Sequence, residues 1–152
     1  MSSLFGSLWQ KRFNEKMLDS QKVIDDLFAS DKAVFVFPAG MVSRRKKGVV
    51  ADLEWKKTFI TRAKKHEKTI IPVYVDGSLS NFFYRLSNLR TGLGVKANLE
   101  MLYLCDESFK QKDKTLNIVF GKPIPSSFFD NSKSDKEWAK FMKDKVHSMK
   151  ND

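Results

Sequence analysis

The residues of this chain best suited to chemistry are a cluster of cations placed just past an apolar run. Residues 33–37, Ala-Val-Phe-Val-Phe, stop at Pro38-Ala39-Gly40 and open through Met41 and Val42 into Ser43, Arg44, Arg45, Lys46 and Lys47. Arginine grips phosphate or carboxylate with two parallel hydrogen bonds, and lysine acts as a mobile point charge, so the cluster suits an acidic or phosphorylated head group. The run itself is short, rich in Val and Phe, and bounded by Asp31-Lys32 and Pro38, which reads as a buried parallel strand. Pro38 has no donor to continue a ladder and Gly40 can take positive φ, so the chain turns there. The cations then lie beyond the carboxyl end of a strand, where open α/β sheets bind ligands. The alternative for any such run is a solvated basic turn.

The elements that would position this cluster alternate between helix and strand, which predicts an α/β fold with a mostly parallel sheet flanked by helices. Phe13, Met17, Ile24, Leu27 and Phe28 form one face of a first helix that ends near Ser30-Asp31. Asp52 is placed to cap a second helix, with Glu54 in its first turn, Trp55, Phe59 and Ala63 on one face, and Lys64, Lys65 and Lys68 near its negative end. Residues 70–75 then read as a strand, and the strand-helix-strand order favours a parallel pair with a right-handed crossover. Ser80 or Asn81 starts a helix bearing Phe82, Phe83, Tyr84, Leu86 and Leu89, with Arg85 and Arg90 beside them and Gly92 and Gly94 at its end. Such a stripe packs into a core or faces a membrane or acyl chain. Residues 101–105 and 115–120 read as two further strands joined by the polar loop 110–114. Ser134 with Glu137 is a capping box opening a last helix, 134–150, whose inner face is Trp138, Phe141, Met142 and Met149. Pro123 and Pro125 make the stretch before it a loop.

With 152 residues the chain fits a single domain, 1–152, and 41% hydrophobic content with 12% aromatics excludes a disordered chain. Its net charge of +10 implies an acidic partner: anionic membrane surface, an acidic carrier protein or nucleic acid. No nucleic-acid motif or paired aromatic platform supports the last. The lone Cys105 excludes an intrachain disulfide and sits in an apolar run, which reads as a small buried hydrophobe. No apolar run reaches the length of a membrane span, so the chain is expected in the cytoplasm or peripheral on a membrane surface. Leu4, Phe5, Leu8, Trp9 and Phe13 share helical spacing with Lys11 and Arg12 alongside, a pattern that fits an interfacial helix or packing against another part of the protein.

The motif Phe37-Pro38-Ala39-Gly40-Met41-Val42-Ser43-Arg44, then Asp52-Leu53-Glu54-Trp55-Lys56-Lys57, Ile71-Pro72-Val73 and Gly121-Lys122-Pro123-Ile124, resembles the glycerolipid O-acyltransferase family. That family includes the 1-acylglycerol-3-phosphate acyltransferases. The matching core runs over residues 33–125, and within the family it is most similar to the haemolysin-like branch, some members of which acylate lyso forms of amino-acid lipids. The resemblance implies an acyltransferase-like fold, here incomplete on its N-terminal side, and a lyso-lipid acceptor. It implies acyl-carrier protein or acyl-CoA as the donor substrate, with no cofactor. Residue by residue, Phe37, Pro38, Gly40 and Ser43 match the family's acceptor motif, and Arg44, Arg45, Lys46 and Lys47 join them in the expected acceptor site by their charge and position.

The departures from that family are as telling as the matches. Where the family motif is usually Phe-Pro-Glu-Gly-Thr-Arg-Ser, Ala39 stands for the glutamate and Val42 for the arginine, so either Arg44 or Arg45 supplies the cation from a nearby position or the acceptor has a head group other than phosphate, the second being preferred with lysophosphatidic acid still open. The family's His-x-x-x-x-Asp motif, whose histidine takes the acceptor hydroxyl's proton, should precede this strand, and no histidine does. His66 lies at a helix end and reads as solvated. His147 and Asp152 have the right spacing but the wrong order, and His147 falls opposite Trp138 on its helix. The expectation is a chain without catalytic residues of its own, no metal site, and an exposed sheet edge that promotes self-association.

Overall fold

The computed structural model describes the backbone of residues 2–151 and the side-chain surroundings of residue 14 and residues 16–150. In chain order the elements are α1 (Ser2–Ala29), β1 (Arg44–Lys46), β2 (Val49–Ala51), α2 (Thr58–Lys65), β3 (Val73–Asp76), α3 (Asn81–Gly92), α4 (Leu104–Phe109), β4 (Asn117–Phe120) and α5 (Asp135–Ser148). A 3₁₀ turn, Leu99–Tyr103, leads into α4.

The main core forms where α2 meets α5. The Ser134 hydroxyl accepts from the Glu137 amide while the Glu137 carboxylate accepts from Ser134, the reciprocal cap expected from the sequence. That start fixes the phase of α5, so Trp138, Ala139, Met142 and Val146 turn inward and Phe141 is half-buried. They meet Phe59, Ile60, Ile124 and Phe129, and the Trp138 indole N–H is satisfied by the Asp130 carbonyl at 3.0 Å. Met149 is buried beyond the end of α5.

α1 joins α2 largely through charge. Phe28 is buried, but Met17, Ile24 and Leu27 stay exposed, and Asp25 pairs with Arg62 at 2.9 Å and Lys65 at 2.8 Å. Leu4, Phe5, Leu8, Trp9 and Phe13 lie outside the residues whose side chains are described.

Strand pairing differs most from the sequence reading. Both described sheets are two-stranded and antiparallel, β1 with β2 and β3 with β4, so the expected mostly parallel sheet is not what these residues build. Val73 stands opposite Phe120 and Asp76 opposite Asn117, and a bridge between Ile70 and Ile124 continues the ladder. Residues 33–37 are not in a strand: no described segment pairs with them, and Phe35 and Phe37 are 82% and 83% exposed. A ladder needs two partners, and the apolar composition that suggested a strand supplies only one of them.

Three local expectations also change. Asp52 does not cap α2, whose N-cap is Lys57 with no side-chain bond; the Asp52 carboxylate accepts from the Trp55 indole at 3.3 Å instead. Lys143 holds the backbone ahead of that helix by donating to the Asp52 and Leu53 carbonyls. Residues 101–105 are helical rather than a strand, and Cys105 is exposed. The inward positions of this stretch are Glu100 and Glu107, seven apart on one helical face, so a search for apolar periodicity could not see them. Finally, Ser80 is the N-cap of α3, accepting from the Phe83 amide at 3.2 Å, as expected.

Candidate functional site

The turn and the cations come from two adjoining local structures. Phe37-Pro38-Ala39-Gly40 is a tight turn closed by the Gly40 amide donating to the Phe37 carbonyl at 3.0 Å, with Gly40 at φ +65°. The Lys56 amide donates to the Pro38 carbonyl at 3.0 Å, and the Lys56 ammonium lies 3.3 Å from where a side chain on Gly40 would begin. The left-handed backbone favours glycine here, and a side chain would also press on the Lys56 ammonium.

Ser43 to Lys47 run into the β1–β2 hairpin. Lys47 and Gly48 both have positive φ, 47° and 82°, the mirror-image turn that matches strand twist in a two-residue hairpin. The expected basic loop is therefore an ordered hairpin, and its cations have different fates. Arg44 is half-buried against Glu100, with Nη2 3.0 Å from Oε1, and its guanidinium lies 5.8 Å from the Phe83 ring centre. Arg45 donates to Asn81 at 2.8 Å and stacks on the Tyr84 ring at 4.8 Å. Ser43 shares a 3.0 Å hydrogen bond with the Tyr84 hydroxyl. Lys46 and Lys47 are exposed.

Behind the hairpin sits a buried ionic centre that sequence reasoning missed. Glu100 is fully buried and flanked by Arg44 and by Arg90, whose Nε is 2.7 Å from Oε2. Arg90 also donates to the Val95 carbonyl, tying the end of α3 to the following loop. Burial pushes the Glu100 carboxyl up, but its own backbone amide, Arg90 and Arg44 together bring it below the usual glutamate range. Glu107 behaves alike: burial raises it, and the Ser80 hydroxyl and amide with Lys110 lower it overall. The available signal was a carboxylate inside the apolar run Leu-Glu-Met-Leu-Tyr-Leu, since glutamate is almost never buried unless paired.

The site residues thus divide. Phe37, Pro38 and Gly40 form the turn, with Lys56 over it. Ser43 and Arg45 clamp the hairpin to α3, Arg44 is committed inward, and Lys46 and Lys47 face outward. A shallow groove of about 260 Å³ opens along the hairpin, with the cations Arg44 and Lys46 and the carboxylates Asp52 and Glu54 among its lining residues. Neither histidine lines the groove, although His147 adjoins Asp52, which does. The His66 ring packs 6.4 Å from Phe28 and is half-buried rather than solvated, with no described hydrogen-bond partner for Nε2. His147 is on the exposed side of α5, as expected, with Nε2 3.6 Å from Asp52 Oδ2, beyond hydrogen-bond reach. Among the described residues no group of His, Cys, Asp and Glu is arranged to hold a metal ion.

The glycine turn and the clamped basic hairpin thus stand side by side in the chain, joined through residues 41–43. Comparison with known proteins gives the class: residues 10–152 match the family described as Acyltransferase, and the chain belongs to it. It is 47% identical over 131 residues to a lyso-glycine lipid O-acyltransferase of Bacteroides thetaiotaomicron, covering 86% of this chain and 48% of that protein. A lyso-glycine lipid O-acyltransferase of Phocaeicola vulgatus is 44% identical over 131 residues, covering 86% of this chain and 47% of its own length. The chain spans about half the length of these curated relatives. No solved structure matches it.

Proposed function

We propose that this chain is the acceptor-handling part of a lyso-lipid O-acyltransferase. In that reaction the hydroxyl of a lyso-lipid attacks the carbonyl of an acyl thioester, carried by acyl-carrier protein or CoA. A general base takes the hydroxyl proton, an ester forms, and the thiol leaves. The observation that carries the reading is the Phe37–Gly40 turn with Lys56 lying over it, beside a hairpin whose Arg45 is fixed on α3, in a chain so similar to enzymes named for a lyso-glycine lipid. Lys56, Arg45, Lys46 and Lys47 are the cations this reading assigns to the acceptor's head group, and Arg44 acts through Glu100 to position the hairpin.

Ala39 and Val42, where the family pattern has glutamate and arginine, favour a carboxylate head group over a phosphate. The general base belongs, on this reading, to the half of the relatives' length that these residues do not span, since the His66 ring packs against Phe28 and His147 stands 3.6 Å from Asp52 Oδ2, outside hydrogen-bond reach. The net charge of +10 favours an acidic acyl-carrier protein as donor and a peripheral position on anionic membrane. Among the described residues no helix is long and apolar enough to cross a membrane.

The test is direct binding of a short-chain N-acylated glycine lyso-lipid, below its micelle concentration, measured by titration calorimetry against lysophosphatidic acid. The glycine lipid should bind more tightly, and Lys56→Ala or Arg45→Ala should weaken it about tenfold or more, as expected for a lost charge-assisted bond. Equal affinity for both lipids, or variants that bind like the parent, would overturn the assignment. A steep salt-dependent affinity for oligonucleotide in place of lipid would move the chain to a different class.

A further inference from the structure

The outer face of α3 is apolar where its inner face is already occupied. Phe83, Tyr84 and Ser87 are buried, while Phe82, Leu89 and Leu93, on the other side, are 51%, 62% and 70% exposed. The 3₁₀ turn and α4 continue this surface with Leu102 and Phe109, 79% and 77% exposed. The Phe82 ring meets Tyr103 edge-on at 5.2 Å and the Lys110 ammonium lies 6.0 Å from the Phe82 ring centre, so the sequence neighbours of Leu102 and Phe109 adjoin the outer face of α3. Arg85 and Lys96 are exposed along the same stretch.

We propose that the face formed by α3, the Leu99–Tyr103 turn and α4 seats this chain on anionic membrane, with Leu102 and Phe109 as the inserting side chains. The proposal rests on the reading of the chain as a lyso-lipid handler and adds the surface that presents it. Two observations favour a lipid surface over a protein partner. The apolar side chains project from short helical segments that also carry the exposed Arg85 and Lys96, whereas a protein interface core is depleted in lysine. Arginine and lysine at the rim of an amphipathic surface meet lipid phosphates while the apolar side chains enter the acyl boundary. The charge of +10 supplies the long-range attraction to an anionic bilayer. The same helix holds the hairpin through Asn81 to Arg45 and Tyr84 to Ser43, so one helix joins the membrane face to the proposed head-group hairpin.

The experiment is flotation of the chain with vesicles of phosphatidylcholine and phosphatidylglycerol at 3:1, and with phosphatidylcholine alone. The chain should float with the anionic vesicles. Leu102→Asp with Phe109→Asp should cut affinity about tenfold per side chain. Arg85→Ala and Lys96→Ala should each cost about fivefold on anionic vesicles and nothing on neutral ones. Because all four side chains are exposed, near-ultraviolet circular dichroism should stay unchanged. Phe109→Trp, as a separate probe, should shift its emission to the blue on vesicles. Failure of the parent to float, an unshifted emission, or an aspartate pair that floats like the parent overturns the proposal. So does a parent oligomer that the aspartate pair converts to monomer with vesicle affinity unchanged, which assigns the face to a second copy. The aspartate pair should still bind monomeric lyso-lipid. Loss of lyso-lipid binding by the parent, with flotation intact, removes the acceptor assignment and leaves the membrane face standing.

Discussion

Glu100→Gln is the sharpest perturbation of the ionic centre behind the hairpin. It keeps the shape of the side chain and removes the charge that two arginines share. Glu100 is wholly buried, and Arg44 and Arg90 side chains are only 11% and 13% exposed. Water therefore offers little compensation to either guanidinium once its counter-ion is gone. Removing one partner of a buried pair costs about 3–5 kcal/mol, because the remaining charge stays desolvated. Here two charges are stranded, but each keeps some exposure, which places the expected loss at about 3 kcal/mol or slightly more. With a urea dependence of about 1–3 kcal/mol per molar, the unfolding midpoint should fall by at least about 1 M. Amide exchange should quicken first at β1 and β2, since Arg44 is the strand's ionic tie to the buried centre. Arg44→Met combined with Glu100→Leu should recover part of the loss, because apolar replacement of a buried pair is often near neutral. A loss under about 1 kcal/mol for Glu100→Gln, with hairpin exchange unchanged, would refute the claim that this centre positions the hairpin.

Four further outcomes follow from the same structure. Gly40→Ala forces a side chain onto a left-handed backbone and against the Lys56 ammonium, so it should cost about 1–2 kcal/mol, read as a fall of a few degrees in Tm, and weaken lyso-lipid binding; unchanged binding would separate the turn from the acceptor site. Because Glu100 and Glu107 titrate below their ordinary value when folded, their stabilisation is complete above about pH 4.3 and is lost as pH falls through their lowered values; acid unfolding monitored by tryptophan fluorescence should be less steep in Glu107→Gln. Residues 33–37 leave backbone and two phenylalanines unpaired, so the chain should self-associate at micromolar concentration and Phe35→Lys with Phe37→Lys should reduce this; a monomeric parent by light scattering would contradict it. Ser134→Ala removes the capping box of α5 and should lower stability by about 1 kcal/mol without touching lyso-lipid binding.

Local chemistry made much of this structure legible. Ser134 and Glu137 announce the start of α5 because both partners lie within one helical turn, and Ser80 announces α3 for the same reason. The turn at Pro38-Ala39-Gly40 follows from what those residues can and cannot adopt, and the family membership follows from the order of motifs along the chain. Strand pairing was not legible. Residues 33–37 have the composition of a buried strand and no described partner, while β3 pairs with a segment more than forty residues later in the sequence, in the antiparallel sense. The fate of the arginines was equally hidden: Arg44, Arg45 and Lys46 are consecutive cations in sequence, and only tertiary structure turns the first inward to Glu100, lays the second on Tyr84 and leaves the third exposed. The sequence alone determined which residues cap, turn and carry charge, because those properties depend on neighbours a few positions away. Which charges stay free to meet a ligand depends on carboxylates and rings brought in from far along the chain, and that was decided by the folded structure.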